Sequence, residues 1–226
     1  MKRRRAFGEI LLALGLLAAS GLAAVAVMGL FPGNMRVPVL MLVQGVVVLL
    51  GLRGLLALRA QRWADIGLGS LRASDPGRGF LAFGACMVSN LLLTSFLFVL
   101  VPEAVQSHLD GLGALAAQVS GGVPVIVMIA LLCFVGVYEE LFARGFLLSR
   151  CRELLGGVWG PVLLSSFLFG WGHAYQGWIG VAQTSLVGVV LAAFTIRWRT
   201  LWPAIIAHAA LDITSIAMLG VAESDI

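Results

Sequence analysis

Long apolar runs separated by short polar punctuation make up most of the chain. The first runs from Ile10 to Phe31 and stops at Pro32-Gly33-Asn34, a turn-forming cluster. The second extends from Val37 to Leu58, and a polar stretch follows from Arg59 to Gly79, broken at Asp75-Pro76-Gly77, which reads as a solvated inner loop. The third covers Phe80 to Val101. Pro102 to Gly122 mixes polar and apolar residues and carries Glu103, His108 and Asp110, so it reads as a loop with His108 on its surface. The fourth run opens near Val123 and is interrupted by Glu139, Glu140 and Arg144. Gly156-Gly157 and Pro161 mark the start of the fifth, Val158 to Ala174; the sixth runs from Trp178 to Ile196. Arg197 and Arg199 make a basic turn, and the seventh run, Leu201 to Val221, leaves an acidic tail with Glu223 and Asp225. A membrane helix needs roughly 20 apolar residues. The pattern therefore predicts an all-α fold, a polytopic transmembrane bundle of about seven spans, with residues 1–226 as one integral membrane domain.

Composition agrees. Of 226 residues, 60% are hydrophobic and 12% charged, and the mean hydropathy is +1.02; a water-soluble domain is about a quarter charged. Lys2-Arg3-Arg4-Arg5 before the first run resembles a signal peptide, but the run is too long for a signal-peptide core and more spans follow. It reads as an uncleaved first span. With the N-terminus inside, nearly every Lys and Arg falls on the inner side and only Arg36 falls outside, which predicts an outer C-terminus. The net charge of +4 thus reflects membrane topology rather than nucleic-acid binding. The preference for Arg over Lys and the short loops suggest a bacterial inner membrane. Cys86, Cys133 and Cys151 are odd in number and unpaired by spacing, as expected of small packing residues. Trp159, Trp171, Trp178, Trp198 and Trp202 sit near span ends, as interfacial residues do. Gly170 and Gly172, beside Ser165-Ser166, suit close helix packing.

Charged groups at bilayer depth are costly, and those that persist face the bundle interior and are functional candidates. Three spans carry them: Glu139, Glu140 and Arg144 in the fourth, His173 in the fifth, His208 and Asp212 in the seventh. Glu140 and Arg144 are four apart and can form an ion pair on one face, while Glu139 is turned by about 100° from Glu140. Phe169 and His173 are also four apart, as are His208 and Asp212. At about 1.5 Å per residue, Glu139, His208, Asp212 and His173 lie about 16, 12, 18 and 24 Å from the inner ends of their spans. All four can converge in one cavity.

These residues form three motifs in order. Glu139-Glu140-Leu-Phe-Ala-Arg144 fits EExxxR, Phe169-Gly-Trp-Gly-His173 fits FxxxH, and His208-Ala-Ala-Leu-Asp212 fits HxxxN/D. With Arg144-Gly145-Phe146, Leu201-Trp202-Pro203 and the Trp63-Ala-Asp-Ile-Gly67-Leu segment, they resemble the CAAX prenyl protease and bacteriocin-processing (CPBP, "Abi") intramembrane proteases. The motif-bearing region, residues 123–214, is expected to be the catalytic core.

The resemblance implies a glutamate-dependent intramembrane endopeptidase. It places Glu139 as general base on a water that His173 helps to hold, and His208 and residue 212 near the oxyanion. Glu140, Arg144 and Phe169 are expected to support them. One position departs from the pattern: many family members have Asn where this chain has Asp212, and an ionised carboxylate cannot donate to an oxyanion. Asp212 can instead orient or charge His208. The mechanism calls for no cofactor, although two histidines and a glutamate leave a zinc protease as an alternative. A catalytically silent membrane-binding or immunity protein of the same fold is a second alternative, and a proton-relaying transporter a third. The expected partners are the lipid bilayer and a membrane-associated protein or peptide substrate, with no nucleic acid.

Overall fold

A computed structural model describes residues 2–120 and 123–224. Helices α1 (Lys2–Met28), α2 (Arg36–Ala57) and α3 (Asp75–Leu100) are followed by α4 (Pro102–Ser120). A long rod comes next, built from α5 (Val125–Glu140), a π-helical segment (Leu141–Leu147) and α6 (Leu148–Leu155). Helices α7 (Trp159–Trp171), α8 (Gly177–Trp198) and α9 (Trp202–Ser224) complete the chain. Among the described residues, six helical stretches are long and apolar enough to cross a membrane. Helix α7, with 13 residues, is a shorter seventh rod. Leu22, Leu91, Leu92, Val99, Val125 and Ile126 all point outward, as side chains solvated by lipid do. Asp225, in the expected acidic tail, lies outside the described residues.

Two close approaches set the distances between the rods that matter for the site. A Cβ on Gly136 of α5 would sit 3.1 Å from the backbone nitrogen of Ala209 and 3.3 Å from the carbonyl of Ile205, so α5 and α9 meet almost backbone to backbone. A Cβ on Gly170 of α7 would fall 2.0 Å from Ser185 Oγ and 2.7 Å from the carbonyl of Val181 on α8. Membrane helices associate through small residues of this kind, because lipid supplies no hydrophobic drive between them. The principal core lies between these rods and α1–α2, around Leu52, Leu56, Tyr138, Phe142, Phe146, Phe169 and Leu201.

Two expectations are corrected. Residues 102–120 are not a loop but the amphipathic helix α4. Its stripe of Val105, His108, Ala116 and Val119 is buried against the bundle, so His108 is an interior residue rather than a surface one. Its Nδ1 bonds the carbonyl of Gln176 at 3.1 Å and its Nε2 meets the Gln183 side chain at 2.8 Å, which ties α4 to α8. The Arg59–Gly79 stretch is also more than a solvated loop. A 3-10 turn at Trp63–Ile66 buries Ile66, and Gly67, at φ +104°, presents its carbonyl to the backbone N–H of Leu201 at 3.0 Å. Trp202 Nε1 donates to the carbonyl of Gly69 at 2.8 Å, fixing the start of α9.

The basic end of the bundle holds an ion-pair network that joins α1, the turn after α2, and α6. Glu9 Oε1 accepts from Arg59 Nε at 2.7 Å and Arg5 Nε at 3.0 Å, and its Oε2 lies 2.6 Å from Arg150 Nε. Arg150 is almost fully buried, donates to Gln61 Oε1 at 2.6 Å and covers the Phe146 ring at 4.5 Å. Arg59 Nη1 also reaches Glu153 at 2.7 Å. A buried arginine needs such partners, because desolvating an unpaired charge costs several kcal/mol.

Candidate active site

The rod of α5 and its π segment carries both glutamates. Glu140, fully buried, accepts from Arg144 Nη1 at 2.5 Å and from His208 Nδ1 at 2.6 Å, both on Oε1. The i, i+4 pair expected from the spacing is thus present, and it reaches across to α9. A carboxylate only accepts hydrogen bonds, so the proton on His208 Nδ1 is fixed and Nε2 faces the opposite way. There Nε2 lies 3.7 Å from Glu139 Oε2 and 3.7 Å from Asp212 Oδ2.

Helix α7 supplies the third motif residue just past its end. His173 Nδ1 donates to the carbonyl of Phe169 at 3.1 Å, which turns its Nε2 toward Glu139 Oε2 at 3.8 Å. Glu139 Oε2 is buried and has no hydrogen bond to another described group. Its other oxygen accepts from Tyr138 OH at 3.3 Å. The separations of 3.7–3.8 Å are too long for direct hydrogen bonds. They are suited to one small oxygen atom touching the carboxylate and both imidazoles.

Phe169 joins the groups. Arg144 lies over its ring at 4.3 Å, His173 packs on it at 4.9 Å and His208 meets it edge-on at 6.1 Å. Its expected supporting place is therefore at the centre of the cluster. A small cavity of about 90 Å³ opens from Glu139 and His173 past Tyr138, Phe142, Gly172 and Tyr175, enough for water-sized molecules.

All seven residues singled out from the sequence, Glu139, Glu140, Arg144, Phe169, His173, His208 and Asp212, meet in this one place. Tyr138 and Tyr175 were not foreseen. Both adjoin motif residues, and that proximity is the signal that would have marked them. Among the described residues no group of three or more His, Cys, Asp or Glu is arranged to hold a metal ion.

Comparison with curated proteins and with solved structures gives no match. Comparison with protein families does. Residues 121–214, which hold the whole cluster, match the family model described as Type II CAAX prenyl endopeptidase Rce1-like, and over this stretch the chain is similar to that family.

Proposed function

We propose that the chain is an intramembrane glutamic endopeptidase acting on a membrane-associated protein or peptide. The observation that supports this best is the approach of two imidazole Nε2 atoms to one buried carboxylate oxygen, Glu139 Oε2, at 3.7–3.8 Å. A water held by Glu139 and His173 gives its proton to the carboxylate as its oxygen attacks the peptide carbonyl. His173 donates its only ring proton to the Phe169 carbonyl, so its Nε2 is free to accept from the same water.

The developing oxyanion needs a preorganised donor. His208, protonated on both nitrogens, supplies Nε2–H. Its Nδ1–H is held by Glu140, and Asp212 and Glu139 add negative charge near its ring. In this reading Asp212 is not the donor that an Asn would be: it keeps His208 charged and aimed. Collapse of the tetrahedral intermediate returns the proton from Glu139 to the leaving amine and frees a new carboxyl terminus. Arg144 balances Glu140, so the pair adds little net charge to the site. The N-terminus faces the cytoplasm in this reading, because the Arg-rich network lies at the end of the bundle where α1 begins.

The test is a comparison of new protein C-termini in membranes from cells carrying wild type or Glu139→Gln. C-termini found only with wild type support the reading. Identical sets, with both proteins folded and equally abundant, overturn it.

A further inference from the structure

A second cavity, a groove of about 520 Å³, lies outside the catalytic cluster, between α4 and residues 174–179. Its floor is one face of α4, where Ala104, Ser107, Gly111 and Ala114 recur at helical spacing and leave room above them. A Cβ on Gly111 would meet nothing within 4 Å. The facing wall carries Tyr175 and Trp178, which are 70% and 57% exposed. The two sides are fastened together by His108, the buried α4 residue bonded to Gln176 and Gln183. Gln183 passes the connection on to Thr94 of α3 at 2.7 Å. Nothing in the reaction described above uses His108 or this groove.

The groove adjoins the cluster: Tyr175 lines both it and the small cavity at Glu139. Its stretch of α4, from Ala104 to Gln118, is about 21 Å long at 1.5 Å per residue. That length takes about six residues of extended chain at 3.3 Å each. Among the described residues no Lys, Arg, Asp or Glu lines it, whereas Ser107, Gln118 and Gln176 offer hydrogen bonds along its length. A phosphate headgroup would lack a cation there, and an acyl chain would leave those polar groups unused. An uncharged peptide segment suits both.

We infer that this groove binds the substrate segment adjoining the cleaved bond and selects for uncharged residues over about six positions. The inference rests on the protease reading above. It makes Gly111 and Ala114 specificity-determining positions, and His108 the residue that keeps the groove walls in register.

The test uses full-length Glu139→Gln protein in lipid nanodiscs and a pool of fluorescein-labelled, palmitoyl-anchored decapeptides of Ala, Leu, Ser and Gly. Binding is read by anisotropy. The expected result is saturable binding, at least tenfold weaker when alternate residues are Lys or Glu. Gly111→Leu and Ala114→Trp, melting as the parent does, should each weaken binding at least tenfold, so that decapeptides bind no better than tetrapeptides of the same composition. Unchanged binding in both variants overturns the inference. So does loss of a co-purified lipid, read by native mass spectrometry, with peptide binding intact. Cleavage of the same pool by wild type separates the two readings. Groove-dependent binding without cleavage leaves the groove standing and removes the protease, whereas cleavage with groove-independent binding does the reverse.

Discussion

His208 Nδ1 donates to Glu140 Oε1 at 2.6 Å, and the same oxygen accepts from Arg144. One atom at the boundary of α5 therefore fixes an imidazole on α9 and a guanidinium on the π segment. Removing Glu140 leaves a buried cation unpaired, a loss of about 3–5 kcal/mol for such pairs. Glu140→Ala should lower the melting temperature in detergent by several degrees or prevent accumulation. Glu139→Ala, which takes away no direct partner of Arg144 or His208, should melt close to wild type.

Glu139 and His173 should divide from Glu140 by activity as well. Positioned acid–base groups contribute about 10²–10⁴-fold to rate. Glu139→Gln and His173→Ala should each reduce cleavage of a wild-type substrate by at least 10²-fold with the fold intact, measured by the appearance of the new C-terminus. Full activity in either variant would remove the water-activating arrangement.

Asp212→Asn replaces the carboxylate with the Asn that the HxxxN/D pattern also allows. If Asp212 acts through His208 rather than as an oxyanion donor, the Asn variant should keep its melting temperature and lower kcat, read by the appearance of the new C-terminus. A kcat equal to or above that of wild type would show that the carboxylate is not needed beside His208.

Phe169 touches Arg144, His173 and His208 at once. Phe169→Leu keeps most of the volume but loses the cation–π contact, about 0.5–2 kcal/mol. Its expected signature is a modest drop in melting temperature with a larger drop in kcat, since both histidines lose a common surface. A kcat that fell only in proportion to folded protein would reduce Phe169 to packing.

Gly170 tests the α7–α8 contact that delivers His173. In Gly170→Ala the new methyl would meet the backbone carbonyl of Val181 as well as Ser185 Oγ, so removing the serine hydroxyl cannot relieve it. The variant should lose activity and stability together, and Gly170→Ala with Ser185→Ala should not recover them. Thermal unfolding of the single and double variants decides this.

The motif cluster was legible in the sequence because each part was local. Glu140–Arg144, Phe169–His173 and His208–Asp212 are each four residues apart, a spacing that predicts one shared face if the segment is helical. What remained hidden depends on partners far along the chain. His108 meets residues 68 and 75 positions away, and Glu9 meets Arg59 across 50 positions. Helix α4 looked like a loop because glycines, Glu103 and Asp110 dilute its apolar stripe. Its helical form depends on the bundle that covers Val105, Ala116 and Val119. Pattern alone also gives no warning of the π segment, whose residues are ordinary helix formers apart from Gly145.

That wide turn has its own consequence. It lies between Glu140, which holds His208, and Arg150, which anchors the opposite end of the rod to Glu9. Loss of one residue from 145–147 would rotate the rest of the rod by about 100° and swing Arg150 away from Glu9 while Glu139, Glu140 and Arg144 stayed put. The loosened winding thus acts as a phase adjuster: it lets a single rod satisfy two unrelated angular demands, and a change of length after Arg144 would register first as a slipped anchor rather than as a disturbed motif cluster.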